Sequence, residues 1–274
     1  GIFAGSGVGK STLLAMLART AGPSVVVVAL VGERGREVRE FIETTLGPTM
    51  RTAIAVVATA DESTIMRRLA PRTAMTIAEC FRDFGEHVLL IVDSLTRFAH
   101  SQREYALASG EPPVARGYPP SVFRSLAALL ERGGPGEGAG TITVISTVLI
   151  DGDDHNDPVA DSVRGIVDGH IVLDRAIGAA GRWPAIDILS SVSRSAERAW
   201  NVEQTALVRR AKSLIALFEE SKDLRAIGDY RPGSNPQLDQ AVALSPKILD
   251  CLKQNYDDSR DADCFQSLRN ILKT

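Results

Sequence analysis

AGSGVGKS, residues 4–11, lies between a short apolar run, Ile2–Ala4, and a helix-like run, Lys10–Thr20. Apart from Ala4 in place of the first glycine, it follows the phosphate-loop pattern G-x-x-x-x-G-K-[ST]. Gly5, Gly7 and Gly9 let the backbone curl so that successive N–H groups face an anion. The helix behind them adds the positive end of its dipole. A functionless glycine-rich turn would need neither the strand before it nor the helix after it. Lys10 is placed to reach the β- and γ-phosphates of a nucleotide, and the Ser11 hydroxyl to hold Mg2+. The expected nucleotide contacts are Gly5, Ser6, Gly7, Val8, Gly9, Lys10, Ser11 and Thr12, with ATP and Mg2+ as ligands.

Outward from this loop, apolar β-branched runs recur at Val25–Val31, Ile54–Ala58, His87–Val92, Thr141–Leu149 and Gly169–Leu173. Helix-like patterns at Arg36–Leu46, Glu62–Phe84 and Ser121–Glu131 fall between them. Buried strands alternating with helices predict an α/β core with a mostly parallel sheet and right-handed crossovers. Three stretches break the rhythm: the proline-rich SGEPPVARGYPP at 109–120, the flexible GGPGEGAG at 133–140, and the acidic DGDDHNDP at 151–158. Past Arg194 the strand pattern stops, and helices are expected at Val202–Ser221, Pro236–Gln240, Pro246–Asn255 and Ala262–Lys273. The expected division is a P-loop core over 1–194 and a C-terminal all-α domain over 195–274.

VLLIVD, residues 88–93, is an apolar strand ending in a carboxylate. Alone, such an aspartate is as readily a turn or helix cap. Beside a phosphate loop, Asp93 becomes a candidate to hold the metal's water shell. VVVVALVGERGRE, residues 25–37, is a second apolar strand that opens into charge. Functional groups of a parallel sheet gather at the carboxyl ends of its strands, which places Glu33 where a water in line with a γ-phosphate needs a carboxylate. The competing reading of Glu33 is a helix N-terminal charge facing the dipole. Arg34 can neutralise phosphate charge, whereas Arg36, Glu37 and Arg39 lie on the following helix as a solvated or interface face.

The totals exclude several classes. The chain has 274 residues, a formal net charge of −3 and 44% hydrophobic residues, so no basic surface advertises nucleic acid. No apolar run is long enough to span a bilayer. Cys80, Cys251 and Cys264 are widely spaced and read as reduced thiols. His87, His100, His155 and His170 lack metal-like spacing, and Asp153, Asp154 and Asp157 read as an exposed acidic turn. The chain opens at Gly1, without an initiator Met and directly on the first strand, so further sequence is expected upstream.

GSGVGKST, VGERGREV, VLLIVDSLTRFA, GYPPSVF and GRWPAIDILSSVSR occur in the order and spacing of the catalytic subunits of rotary-type ATPases. The chain most closely resembles the flagellar and type III secretion export ATPases, strongly over residues 1 to about 200 and more loosely through DYRPGSNPQLD. The resemblance implies a RecA-like core and makes Glu33 the catalytic carboxylate. It sets Arg34 and Arg97 at the phosphates and makes Arg194 of SVSR an arginine finger that reaches the nucleotide of the next subunit. Trp183 takes the place of an aromatic, more often Tyr, that packs on the adenine. Read locally, Arg194 is a strand-end arginine that would be solvated or ion-paired, and Trp183 an aromatic at a domain seam.

The function this implies is ATP hydrolysis by a homohexameric ring that energises flagellar protein export. Its expected partners are export-gate, stator and stalk proteins and chaperone–substrate complexes. The expected place is cytoplasmic, peripheral at the inner face of the membrane, with a small β-barrel upstream. The alternatives are an injectisome ATPase, a ring-shaped RNA translocase of the transcription-terminator type, and a non-catalytic nucleotide-binding subunit.

Overall fold

The structure, a computed structural model, describes residues 1–20, 22–46, 53–150, 157–256, 258 and 263–273. β1 (Ile2–Ala4) leads through the glycine loop into α1 (Lys10–Thr20), and β2 (Val25–Val31) into α2 (Gly35–Glu40), which runs on as a π-helical turn at Phe41–Leu46. Then come β3 (Ala53–Ala58), α3 (Thr64–Asp83), β4 (His87–Asp93), α4 (Leu95–Ala108), α5 (Pro120–Leu130), β5 (Gly134–Pro135), β6 (Thr141–Leu149), α6 (Pro158–Ile166) and β7 (Gly169–Leu173). Strands β3, β2, β4, β6, β1 and β7 lie side by side in that order and run parallel, while the two-residue β5 pairs antiparallel with β6. This is the mostly parallel sheet that the alternation of apolar runs and helices predicts.

Both faces of the central strands are buried, which is why β2 and β4 read as unbroken apolar runs. On one face Phe3, Val27, Ala29, Val31, Val88, Leu90 and Val92 pack against Ala74 and Met75 of α3, Phe98 of α4, Leu126 of α5 and Val163 of α6. The alternate residues, Ile2, Ala4, Val28, Leu30, Leu89 and Ile91, are also almost wholly inaccessible.

The chain divides into two compact units, Gly1–Leu173 and Asp174–Thr274. The second contains α7 (Arg175–Ala179), the extended β8 (Ile186–Ser193), α8 (Ala196–Ala199), α9 (Val202–Glu220), α10 (Lys222–Ala226), α11 (Pro236–Cys251) and α12 (Cys264–Lys273). Its core joins Ala211, Leu214 and Ile215 to Ala241, Leu244, Ile248 and Leu272. The boundary expected near 195 thus falls inside this second unit. Asn201 and Gln204 form a reciprocal capping box at the start of α9.

Several elements differ from the sequence reading. The helices expected at Pro236–Gln240 and Pro246–Asn255 are one helix, α11, with Pro246 inside it. Proline removes a single backbone donor, and the buried Leu244, Ser245 and Ile248 hold the two halves in line. Helices α4 and α6 and strand β8 lie outside the runs that the sequence pattern marks. Asp157 caps α6, accepting hydrogen bonds from the backbone N–H groups of Val159 and Ala160, while Asp153, Asp154 and His155 lie outside the described residues.

Candidate active site

The carboxyl ends of the parallel strands bring the glycine loop, Glu33 and Asp93 together. Gly7 and Gly9 take φ values of 76° and 84°, in the left-handed region that L side chains avoid. The Gly9 carbonyl accepts the first intrahelical bond, from Leu13 N at 3.0 Å. The N–H groups of Lys10, Ser11 and Thr12 therefore have no acceptor within α1. The first turn of that helix carries no acidic residue to compete for them. Ser6, Gly7, Ser11 and Thr12 are exposed, while Gly5 and Val8 are buried against the sheet.

Lys10 turns back over the strand ends. Its Nζ lies 2.5 Å from Asp93 Oδ1 and 3.6 Å from Glu33 Oε1, and the three side chains are only 12%, 5% and 14% exposed. Both acids thus face the glycine loop. Leu30 pairs with Asp93 across β2 and β4, so the two carboxylates start from neighbouring strand ends. Gly32, at φ 68°, makes the turn that swings Glu33 out of β2. Its N–H donates to Ala58 O at 2.7 Å, and Ala60 N donates to Glu33 O at 3.0 Å, so the backbone on both sides of the acid is tied to the end of β3.

Burial pushes the Glu33 carboxyl above its ordinary range; Lys10 opposes the shift and Asp93 adds to it. Glu33 Oε1 is buried and has no hydrogen-bond partner. An orphaned carboxylate oxygen in such a place is a ready acceptor for a water or substrate proton. Asp93 Oδ1 receives the Lys10 ammonium and also the Thr147 hydroxyl, which donates at 2.6 Å.

The remaining expected residues are placed unequally. Arg97 lies one turn into α4, whose N-cap Ser94 accepts from Arg97 N, and its aliphatic stem packs against Gly32. Its charge lowers the proton affinity of Glu33, though less than Lys10 does. Arg34 points to solvent, 75% exposed and 3.7 Å from Glu37. Arg194 and Trp183 belong to the second unit. Arg194 is exposed just beyond β8, and Trp183 is 45% exposed with the edge of its ring against Gly178. Thr147 was not anticipated: within TITVISTVL it reads only as a β-branched strand former.

A parallel sheet with this loop and these acids at its carboxyl edge is a RecA-like P-loop nucleotide-binding core. Residues 1–193 match the ATP synthase alpha/beta family, nucleotide-binding domain, and residues 200–270 match the T3SS EscN ATPase C-terminal domain. The chain belongs to the ATP synthase alpha/beta family. It is 62% identical, over its whole length, to 59% of the flagellum-specific ATP synthase of Rhizobium meliloti (strain 1021). Among solved structures it is similar to the assembled ATPase EscN from the enteropathogenic E. coli type III secretion system, with TM-score 0.92, 44% identity, and coverage of 99% of this chain and 65% of that one. EscN in complex with its central stalk EscO gives TM-score 0.89 at 43% identity, over 99% of this chain and 65% of that one. The chain spans about three fifths of the length of the curated relatives it matches, 59% and 61% in two of them. Among the described residues no helix is long and apolar enough to cross a membrane.

Proposed function

We propose that this chain is the catalytic portion of a homohexameric ring ATPase that energises flagellar, type III protein export. The reading rests on one observation: Lys10 Nζ, at the end of the glycine loop, lies within 3.6 Å of the carboxylates of both the largely buried Glu33 and the buried Asp93. In this reading the triphosphate of ATP lies along residues 5–12. The N–H groups of Lys10, Ser11 and Thr12 bind its oxygens, and Lys10 leaves Asp93 for the β- and γ-phosphates. Ser11 and Asp93 suit Mg2+, which takes hard oxygen donors, one or two carboxylates and the substrate's phosphates. Bound there, it neutralises charge on the transferring phosphoryl group.

Glu33 orients the attacking water and accepts its proton at Oε1. A carboxylate whose proton affinity is raised by burial serves better for this than a solvated one. Of the two arginines assigned to phosphate charge, Arg97 is the better placed, because it packs beside Glu33 whereas Arg34 lies with Glu37. Trp183 offers a stacking face to the adenine. Arg194 acts on the nucleotide of the next subunit, which makes turnover depend on ring assembly.

The proposed division into a P-loop core over 1–194 and a helical domain over 195–274 is supported by family matches to 1–193 and 200–270, while the compact units divide after Leu173. Stalk, stator and export-gate proteins and chaperone–substrate complexes are the proposed partners, met at the inner face of the cytoplasmic membrane. The flagellum-specific relatives and the stalk-bound EscN support that choice.

Glu33→Gln tests the chemistry. Turnover should fall by about 10²–10⁴-fold while nucleotide affinity is retained; unchanged turnover would remove Glu33 from the mechanism. Turnover should also be indifferent to single-stranded RNA, and stimulation would favour a translocase.

A further inference from the structure

The geometry points to Thr147 as a positioning residue that holds Asp93 in its magnesium-binding orientation once Lys10 has moved to the phosphates. The inference rests on the ATPase reading above. β6 lies between β4, which ends in Asp93, and β1, which leads into the glycine loop. Val92 pairs with Ser146, so the next pair along these parallel strands sets Asp93 beside Thr147 with their side chains on the same face. Thr147 is wholly buried, and its hydroxyl donates to Asp93 Oδ1 at 2.6 Å. A buried strand hydroxyl needs a partner, but this one reaches a carboxylate 54 residues away.

The same oxygen also receives Lys10 Nζ at 2.5 Å. The two donors differ in what substrate does to them. Lys10 sits on a long flexible stem and has phosphates to go to, so it leaves. Thr147 sits on a central strand and stays. A carboxylate that lost both donors would be free to rotate in its pocket. With the hydroxyl fixed on Oδ1, the carboxylate keeps one orientation, and Oδ2 would be left for the metal's water shell. The neighbouring Leu149 N donates to Thr96 Oγ1 at 2.8 Å, which pins the end of β6 to the start of α4 and makes Thr147 a rigid reference. Partners that orient a metal-binding carboxylate typically change metal affinity or activity by about 10–100-fold when removed.

The test compares Thr147→Val, which keeps shape and removes the hydroxyl, with Thr147→Ser, which keeps the hydroxyl. Binding of a fluorescent ATP analogue to the full chain is titrated with Mg2+ and with excess EDTA. Thr147→Val should weaken magnesium-dependent binding about 10-fold or more and leave metal-free binding within about 2-fold, with Thr147→Ser close to the unchanged protein. Full magnesium enhancement in Thr147→Val, or equal weakening with and without metal, overturns the assignment. No magnesium enhancement in the unchanged protein would instead overturn the ATPase reading itself. Should Thr147→Val not fold, Thr147→Ala against Thr147→Ser gives the same contrast.

Discussion

Lys10→Met keeps the length and much of the apolar stem of the side chain and removes the ammonium 2.5 Å from Asp93 and 3.6 Å from Glu33. Lys10, Asp93 and Glu33 are 12%, 5% and 14% exposed, so water screens their interaction little. Removing one member of a buried ion pair costs about 3–5 kcal/mol, because the other member keeps its charge without compensation. For a domain of this size that lowers the melting temperature of the first unit by roughly 6–20 °C at pH 8, read by thermal denaturation without nucleotide. The sign of the pH dependence follows from Glu33, whose proton affinity is raised by burial and lowered by Lys10. An acid with a raised folded pKa carries its proton in both states below the ordinary carboxylate range and costs nothing there. As pH rises through that range the unfolded chain ionises first, and stability falls until the folded carboxyl ionises too. Without Lys10 that window widens, so the variant's deficit should be smaller at pH 5 than at pH 8. Adding Glu33→Gln to Lys10→Met should restore a further part of the loss at pH 8, a coupling of about 0.5–3 kcal/mol. A Lys10→Met protein that melts with its parent at pH 8, or a deficit that does not change with pH, would refute the claim that one cation holds both acids.

Gly32→Ala places a Cβ at φ 68° and 3.1 Å from the Arg97 Cβ, so it should cost about 1–2 kcal/mol and shift Glu33. Turnover should drop more than nucleotide affinity, as steady-state kinetics and an equilibrium titration would show. Arg194→Ala should lose about 10³–10⁵ in turnover with nucleotide binding intact, and mixing it with Glu33→Gln protein should regain activity if the arginine acts across a subunit boundary.

What the sequence makes legible follows the physics of each segment. β2 and β4 announce themselves because strands buried on both faces must be apolar throughout. The glycine loop does so because few residue types survive its backbone geometry. Helix α4 is obscured by its own burial: Thr96, Ser101 and Gln102 are inside with Leu95, Phe98 and Ala106, so its inner face lacks a clean apolar period. Strand β8 alternates poorly because it is only partly buried. At the site, Glu33 and Asp93 could be chosen from their place at strand ends, and Lys10 from the glycine loop it closes. The exposure of Arg34 could not, since it adjoins Glu33 in sequence and only the structure shows it as the exposed N-cap of α2. Thr147 left no signal, because threonine in a strand is ordinary and only the pairing of β6 with β4 shows what its hydroxyl meets.

The strand order explains why a long lysine sits at the centre. β1 and β4 are separated by β6, and β2 lies one strand further out. At about 4.8 Å per strand, the loop after β1 starts roughly 10 Å from the end of β4 and roughly 14 Å from the end of β2. The loop and the two acid side chains close most of that gap, and the lysine side chain closes the rest. Lys10, at the start of α1, reaches back across it and holds Asp93 and Glu33 in their buried places. A triphosphate tail carries the opposite charge to the lysine, so under the proposed reading substrate replaces the carboxylates as its partner. The wide strand separation is then what lets one cation serve two purposes: it keeps a pair of buried acids stable before substrate arrives and frees the outer one to act on water afterwards.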